Sequence, residues 1–488
     1  MVNESGSVAA KVAVGSMYLT LRNILSTAIG ALGYALLARM ISREEMGVIA
    51  GLTFLVSLIQ LASDFGLNSS LAKFVSELKG RNEDISAHIL SALTFRIPLC
   101  IILASILLLF PSNISRLLFK TDTYADTIRL LALDSILLSI SPLLNNILWG
   151  FGELKVIAIY GTLSTVIRWT SILSFLFGKC GLNSVLYGWI AGDTALLLML
   201  SASSSKLITF KMSLLHDSLK HLPGILMFSW PVYSASIVSF LYTWYDRAII
   251  LTLLPLEQLG IYNITYTSFS VLTSIAISLG SALFPYYGMA YGRNDHNTII
   301  YGIKKSSRYT MLVMFPLALG LAATAKPVIT LFAGQQYESG WPVLATLAMF
   351  GLVYGLSPAF SNLLLIYGKT KTILLLNLTG LAVVRGASLM LTFMLSLHFI
   401  SKTVKVEVDK KAAAKTLASS AIMAITVTAI QQLLYSKLLL PLYVAIGAVT
   451  YAATIRTLKT LNQEDAQLIK EITGEKYSKY ISRILGVK

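Results

Sequence analysis

Four arginines, Arg22, Arg96, Arg168 and Arg247, stand inside long apolar runs. A guanidinium keeps its charge at any working pH and can donate to two oxygens of one phosphate, so an arginine held away from water suits a dehydrated anion. A lone charge in hydrocarbon costs about 2.5–3.5 kcal/mol or more, which makes each position a functional candidate. The competing reading is a guanidinium that reaches an interface along its apolar stem, or that pairs with an acid nearby. Four acids share the same runs: Asp64, Asp134, Asp193 and Asp246. A buried carboxylate can load a proton or a sodium ion in a coupled carrier, or it can neutralise the arginines. Asp246 directly precedes Arg247 and offers it an ion pair, while Arg385 is a fifth cation, set in an irregular part of the chain. Asp64-Phe65-Gly66 also spells a kinase motif, but no Gly-rich loop or catalytic-loop motif accompanies it.

Such positions need a solvent other than water. Of the 488 residues, 55% are hydrophobic and 13% charged, against roughly 25% charged in a soluble chain, and the mean hydropathy is +0.72. One core does not grow to this size, so a bilayer must face the apolar surface. Apolar runs of about twenty residues, rather than alternation over about ten, predict helices and not a closed barrel. The first series of predicted spans is 17–38, 47–75, 89–110, 127–150, 156–177 and 182–200. The second is 223–245, 260–286, 309–332, 343–366 and 372–400, followed by 417–434 and 438–455, thirteen in all. The first run is too long for the apolar part of a signal peptide and reads as a span.

The net charge of +16 reads as lysine and arginine gathered in cytoplasmic loops, not as a nucleic-acid surface. A cytoplasmic N-terminus assigns to that side Lys73, Lys79, Arg81 and Lys155, the link with Lys206, Lys211 and Lys220, then Arg293, Lys304, Lys305, Arg308, Lys369 and Lys371. Cys100 and Cys180 are too few for a disulfide framework. Neither a metal site nor a cofactor is expected.

An internal repeat organises these spans. Ser141, Pro142, Asn146, Gly152 and Lys155 recur as Ser357, Pro358, Asn362, Gly368 and Lys371 at an offset of 216 residues. Glu44 and Gly47 recur as Glu257 and Gly260 at an offset of 213, as do Phe119 and Tyr124 in Phe332 and Tyr337. Six helices per copy give both copies one orientation, related by an axis along the membrane normal. The expected organisation is a bundle at 1–205, a cytoplasmic link at 206–221, a second bundle at 222–400 facing the first across a cavity, and C-terminal helices with a basic tail at 401–488. Gly192 matches Gly386 at an offset of only 194, so 22 residues of the first copy are missing from the second after Val384. The run 372–400 should then be a single span where a complete copy has two. That places the basic segment from Lys402 to Lys415 on the wrong side for the charge rule.

With these residues assembled, the chain resembles the polysaccharide-flippase branch of the multidrug/oligosaccharidyl-lipid/polysaccharide exporter superfamily. The resemblance rests on Ala38-Arg39 with Ser42 and Gly47, on Asp64-Phe65-Gly66-Leu67 closing the second span, and on Asp246-Arg247 followed by Leu259-Gly260-Ile261-Tyr262. It covers about residues 10 to 455. It implies a non-enzymatic multi-pass protein of the cell membrane that moves polyprenyl-diphosphate-linked oligosaccharides to the outer leaflet by alternating access, with H+ or Na+ as a coupling ion. Arg22, Arg247, Arg168 and Arg96 then become the diphosphate candidates, and Trp230, Tyr233, Tyr242, Trp244 and Tyr245 could stack on sugar rings or form an interfacial belt. The nearest alternatives are a multidrug or organic-cation antiporter of the same fold and a flippase for a peptidoglycan precursor. A cation antiporter often carries an acid in its first span, and none lies between Met17 and Ala38. A membrane-embedded glycosyltransferase would need a longer extramembrane segment than any loop here provides.

Overall fold

The computed structural model describes residues 2–81, 83–207, 215–381, 383–461 and 465. Most of the expected link, with Lys211, and the tail beyond residue 465 lie outside these residues. The described residues form helices joined by short connections. The first nine are α1 (Val2–Met40), α2 (Arg43–Asp64), α3 (Leu67–Arg81), α4 (Ser86–Leu109), α5 (Pro111–Phe119), α6 (Ala125–Phe151), α7 (Leu154–Phe177), α8 (Asn183–Ser204) and α9 (Leu215–Leu253). The second nine are α10 (Leu256–Gly292), α11 (His296–Ala323), α12 (Ala325–Phe332), α13 (Trp341–Tyr354), α14 (Ser357–Ile366), α15 (Thr370–Gly380), α16 (Arg385–Ser401), α17 (Lys410–Leu433) and α18 (Leu440–Thr457).

Local chemistry sets several of these boundaries. Ser42 and Glu45 start α2 with a capping box: the Ser42 hydroxyl accepts from the Glu45 N–H at 3.1 Å and the Glu45 carboxylate accepts from the Ser42 N–H at 2.8 Å. Phe65 and Gly66 both take positive φ, 48° and 76°, so the predicted run 47–75 is broken there into α2 and α3. Packing divides the chain into two compact units, 1–260 and 261–488. Helix α9, read from sequence as the opening of the second bundle, packs instead on α2, α3 and α4 of the first unit.

The repeat is visible in hydrogen bonds as well as in sequence. At the end of α6, Gly152 (φ 79°) donates to Trp149, Glu153 to Leu148 and Ile157 to Glu153, at 2.9, 2.9 and 3.1 Å. At the end of α14, Gly368 (φ 68°) donates to Leu365, Lys369 to Leu364 and Ile373 to Lys369, at 3.0, 2.8 and 3.3 Å. Each bond recurs at the 216-residue offset. A glycine stands at both left-handed positions because a side chain there would strain the backbone.

Among the described residues, nine helices are long and apolar enough to cross a membrane, or eleven when two bent pairs count as single spans. Of the thirteen expected, the two outside that count are 260–286, carried by α10, and 372–400. The latter is not one span. It breaks after Gly380, and α15 and α16 pack against each other as a hairpin. At one end of the hairpin, the Tyr367 hydroxyl lies 3.5 Å from His296 Nδ1 at the start of α11. At the other end, Glu407 and Asp409 meet Lys304 and Arg308 in the first half of α11, at 3.5 and 2.6 Å, and Ile400 and Val404 share one apolar cluster with Ile299 and Leu364. The hairpin therefore leaves from and returns to the same end of its unit. With 11 residues, α15 reaches about 16 Å, half of a roughly 30 Å hydrocarbon core.

The 22 missing residues are taken from the end of one helix, the loop and the start of the next. The hairpin that corresponds to α7 and α8 has lost its tip and kept its base, which returns Lys402 to Lys415 to the side that the charge rule favours. In a Cys180→Ser background, single cysteines at Lys371 and Lys405 should react with an impermeant maleimide from one side of the membrane, and one at Lys437 from the other. Labelling of Lys371 and Lys405 from opposite sides would show that 372–400 crosses.

Candidate functional site

The sequence-selected charges of the first unit lie in separate clusters. On α4, Arg96 is fully buried and donates to Asp64 Oδ1 at 3.1 Å and to Asn68 Oδ1 at 3.0 Å. The break at Phe65–Gly66 makes this possible by presenting the last residue of α2 and the first turn of α3 to one guanidinium. Phe65 also stacks on Tyr233 with ring centroids 4.7 Å apart, so that aromatic of α9 is engaged inside the unit. Arg247, buried on α9, lies 4.7 Å from the Trp244 ring centroid, and the Asp246 carboxylate accepts from the Arg247 backbone N–H at 2.8 Å.

Arg168 on α7 donates to both oxygens of Asp193 on α8, at 2.6 and 2.5 Å. The helices approach this closely because Gly188 and Gly192 form a small-xxx-small pair: a Cβ at Gly192 would sit 2.6 Å from the Arg168 Cβ. Asp134 of α6 lies beside this pair, close enough for the charges of Asp193 and Arg168 to act on it. It is fully buried, and neither of its carboxylate oxygens accepts from a donor.

Arg22 differs from the others. It lies on α1 about 8 Å along the axis from Met17, half-buried against α7, and among the described residues it has neither an acid nor a hydrogen-bond acceptor. Its guanidinium crosses the backbone of Gly161, where any Cβ would overlap Nε. It lines a groove of about 380 Å³ whose other walls include Tyr18, Leu21, Leu25, Ala158 and Thr162. Lys155 Nζ sits 5.7 Å from the Tyr18 ring centroid, which adds a second cation at that end of α1.

In the second unit, Arg385 opens α16 and lies over the Tyr266 ring at 5.6 Å, and Lys326 pairs with Glu338 at 2.8 Å. Two features escaped the sequence reading. Gly188 and Gly192 carry a legible spacing signal. Arg308, read as a loop cation, is buried and bound to Asp409 and Asp465 at 2.6 and 2.7 Å, and nothing local in sequence links three residues so far apart.

Bundles of membrane-length helices, one half repeating the other, with charges held among them and no extramembrane domain among the described residues, define a multi-pass membrane transporter. The chain matches the profile of the family described as "Polysaccharide biosynthesis protein" over residues 36–342, and it belongs to that family. A "Probable low-salt glycan biosynthesis flippase" of Haloferax volcanii is 26% identical over 68% of this chain and 67% of its own length. A "Lipopolysaccharide biosynthesis protein" of Escherichia coli is 21% identical over 74% and 70%. Among solved structures, a lipid II flippase in an inward closed conformation superimposes with a TM-score of 0.71 at 15% identity, over 90% of this chain and 98% of that one. An inward-facing multidrug transporter of the MOP superfamily gives 0.56 at 14%, over 85% and 98%.

Proposed function

We propose that this protein is a flippase that carries a polyprenyl-diphosphate-linked oligosaccharide across the cytoplasmic membrane by alternating access, with its N-terminus in the cytoplasm. The observation that carries the reading is Arg22. A half-buried guanidinium that has no counter-charge among the described residues, beside an apolar groove, favours a ligand that is anionic at one end and hydrocarbon at the other. Arg96 and Arg168 already bind acids within the unit, and Arg247 stacks on Trp244, so Arg22 is the cation left to meet a diphosphate. The Haloferax volcanii relative is named as a glycan biosynthesis flippase, and the reading requires no bond to be made or broken. An organic-cation antiporter would gain nothing from a cation in this position.

The test is flipping in proteoliposomes. A fluorescent polyprenyl-diphosphate oligosaccharide should change leaflets at a rate set by the protein, and a quaternary-ammonium dye should not be exported. Export of the dye without flipping would move the chain to the drug antiporters. Flipping of a peptidoglycan precursor in preference to the oligosaccharide would move it to that flippase class.

A further inference from the structure

We propose that Asp134, Asp193 and Arg168 form a proton-binding site that couples transport to the proton gradient. The inference deepens the flippase reading and rests on it for the identity of the coupled substrate.

Charge and packing carry it. Two carboxylates and one guanidinium sum to a net charge of −1 when all are ionised. A net charge held among apolar helices is costly, and one bound monovalent cation removes it. Arg168 spends one terminal nitrogen on both oxygens of Asp193, which leaves Asp134 as the uncompensated member. Its two oxygens are sealed from solvent and accept from no donor, and the group they meet is the Asp193 carboxyl, with which a hydrogen bond forms only when one of the two acids carries a proton. A sodium ion needs a shell of several oxygens, and with both Asp193 oxygens held by Arg168 the triad offers it only the two of Asp134. A proton needs only the carboxylate. Of the charged groups on the helices packed against α6, Asp193 of α8 and Arg168 of α7 are the ones that act on Asp134. Arg96 of α4 is held by Asp64 at the end of α2 and by Asn68 of α3.

The repeat supplies a second, independent argument. At the offsets that align the two copies, Arg168 corresponds to Val384, Asp193 to Ala387, and Asp134 to the apolar stretch Leu347 to Phe350. The fold is built twice and the charged triad once, so the architecture does not require it. Access is asymmetric as well. The Arg168 side chain is 32% exposed and that of Asp193 only 6%, so of the three groups Arg168 is the one nearest the surface of the unit. In each cycle Asp134 takes one proton from water on one side of the membrane and returns it to water on the other. When Arg168 and Asp193 part, Arg168 is free to face Asp134 and the proton leaves.

The protein in proteoliposomes tests this with two readouts. The first needs no substrate: infrared difference spectra between two pH values should show the carbonyl stretch of a protonated, buried carboxylic acid, and Asp134→Asn should remove that band. A band that persists unchanged in Asp134→Asn overturns the site even if the flippase reading stands. The second is coupling. At one proton per cycle, each pH unit across the membrane should shift the steady-state distribution of lipid-linked oligosaccharide about tenfold in the wild type. Asp134→Asn should still equilibrate the substrate but ignore the pH gradient. Asp193→Asn, which also removes the excess negative charge, serves as the second variant should Asp134→Asn fail to fold. A distribution that follows a sodium gradient and not a pH gradient also overturns the proposal. Absence of flipping in the wild type with the infrared band intact would sink the substrate assignment and not the proton site.

Discussion

Replacement of Arg22 by alanine should lower the initial flipping rate by about a hundredfold without lowering the melting temperature. A charge-assisted hydrogen bond contributes about 1.5–3 kcal/mol, and each 1.4 kcal/mol is a factor of ten, so two bonds from one guanidinium to a dehydrated diphosphate reach that range. The stability half of the prediction follows from what Arg22 lacks. Among the described residues it binds no acid and no acceptor, so truncation strands nothing and removes a desolvated cation from the α1–α7 contact. Arg96→Ala should behave in the opposite way, because it leaves Asp64 beside a buried gap and destabilises the unit. Arg22→Lys keeps the charge but loses the planar fork, and should fall between wild type and alanine in rate. Dithionite quenching of a fluorescent lipid-linked oligosaccharide in proteoliposomes, paired with thermal melting in detergent, separates these outcomes. An Arg22→Ala protein that flips at the wild-type rate would remove the main support for a cationic site on α1.

The spans, the duplication and the family were legible because each depends on local pattern. A twenty-residue apolar run declares itself, and Gly152 and Gly368 hold their places through backbone requirements that any sequence must meet. The fate of 372–400 was half legible. The 22-residue deficit and the misplaced basic segment were both evident, but a run of apolar residues looks the same whether it crosses or turns back. The decisive information is the contact of Glu407 and Asp409 with the first half of α11, which is tertiary. The charged residues show the same division. Intramembrane arginines and aspartates are found by inspection, yet which acid binds which arginine depends on helix neighbours far apart in sequence. Asp246 and Arg247 are neighbours in sequence, and that adjacency does not reveal that the carboxylate accepts from the Arg247 backbone N–H or that the guanidinium lies over Trp244. Arg168 and Asp193 are 25 residues apart, and the Gly188–Gly192 spacing that brings them together was present in the sequence without being read.

Arg308→Ala should cost about 3–5 kcal/mol, because it strands the buried Asp465 carboxylate and unpairs the partly exposed Asp409. One Arg308 nitrogen donates to Asp409 Oδ2 at 2.6 Å, and the other donates to Asp465 Oδ2 and to the Thr460 carbonyl, each at 2.7 Å. Asp465 is also an acceptor for the Tyr309 hydroxyl at 3.0 Å. These bonds join α11 to the first residue before α17 and to the segment that follows α18, and so close the second unit on itself. The Asp409 carboxyl is held below the usual range first by the Ala412 N–H it caps and then by Arg308. Its folded value is the lower one, so its contribution to stability is present above the unfolded value of about 3.9 and is lost as pH falls through the folded value. Wild type should therefore lose stability on acidification below about pH 4. Arg308→Ala should start from a lower melting temperature and show a shallower acid dependence, since the share of the depression due to Arg308 is gone. Asp409→Asn should cost less than Arg308→Ala, because Asp465 still compensates the arginine. Loss of the clasp should also loosen the backbone at the already exposed Lys459, whose carbonyl accepts from Lys415 Nζ at 3.1 Å, and so admit trypsin there. If Arg308→Ala melts with the wild type and resists cleavage there, the cluster is a surface contact and the second unit is closed by its apolar core alone.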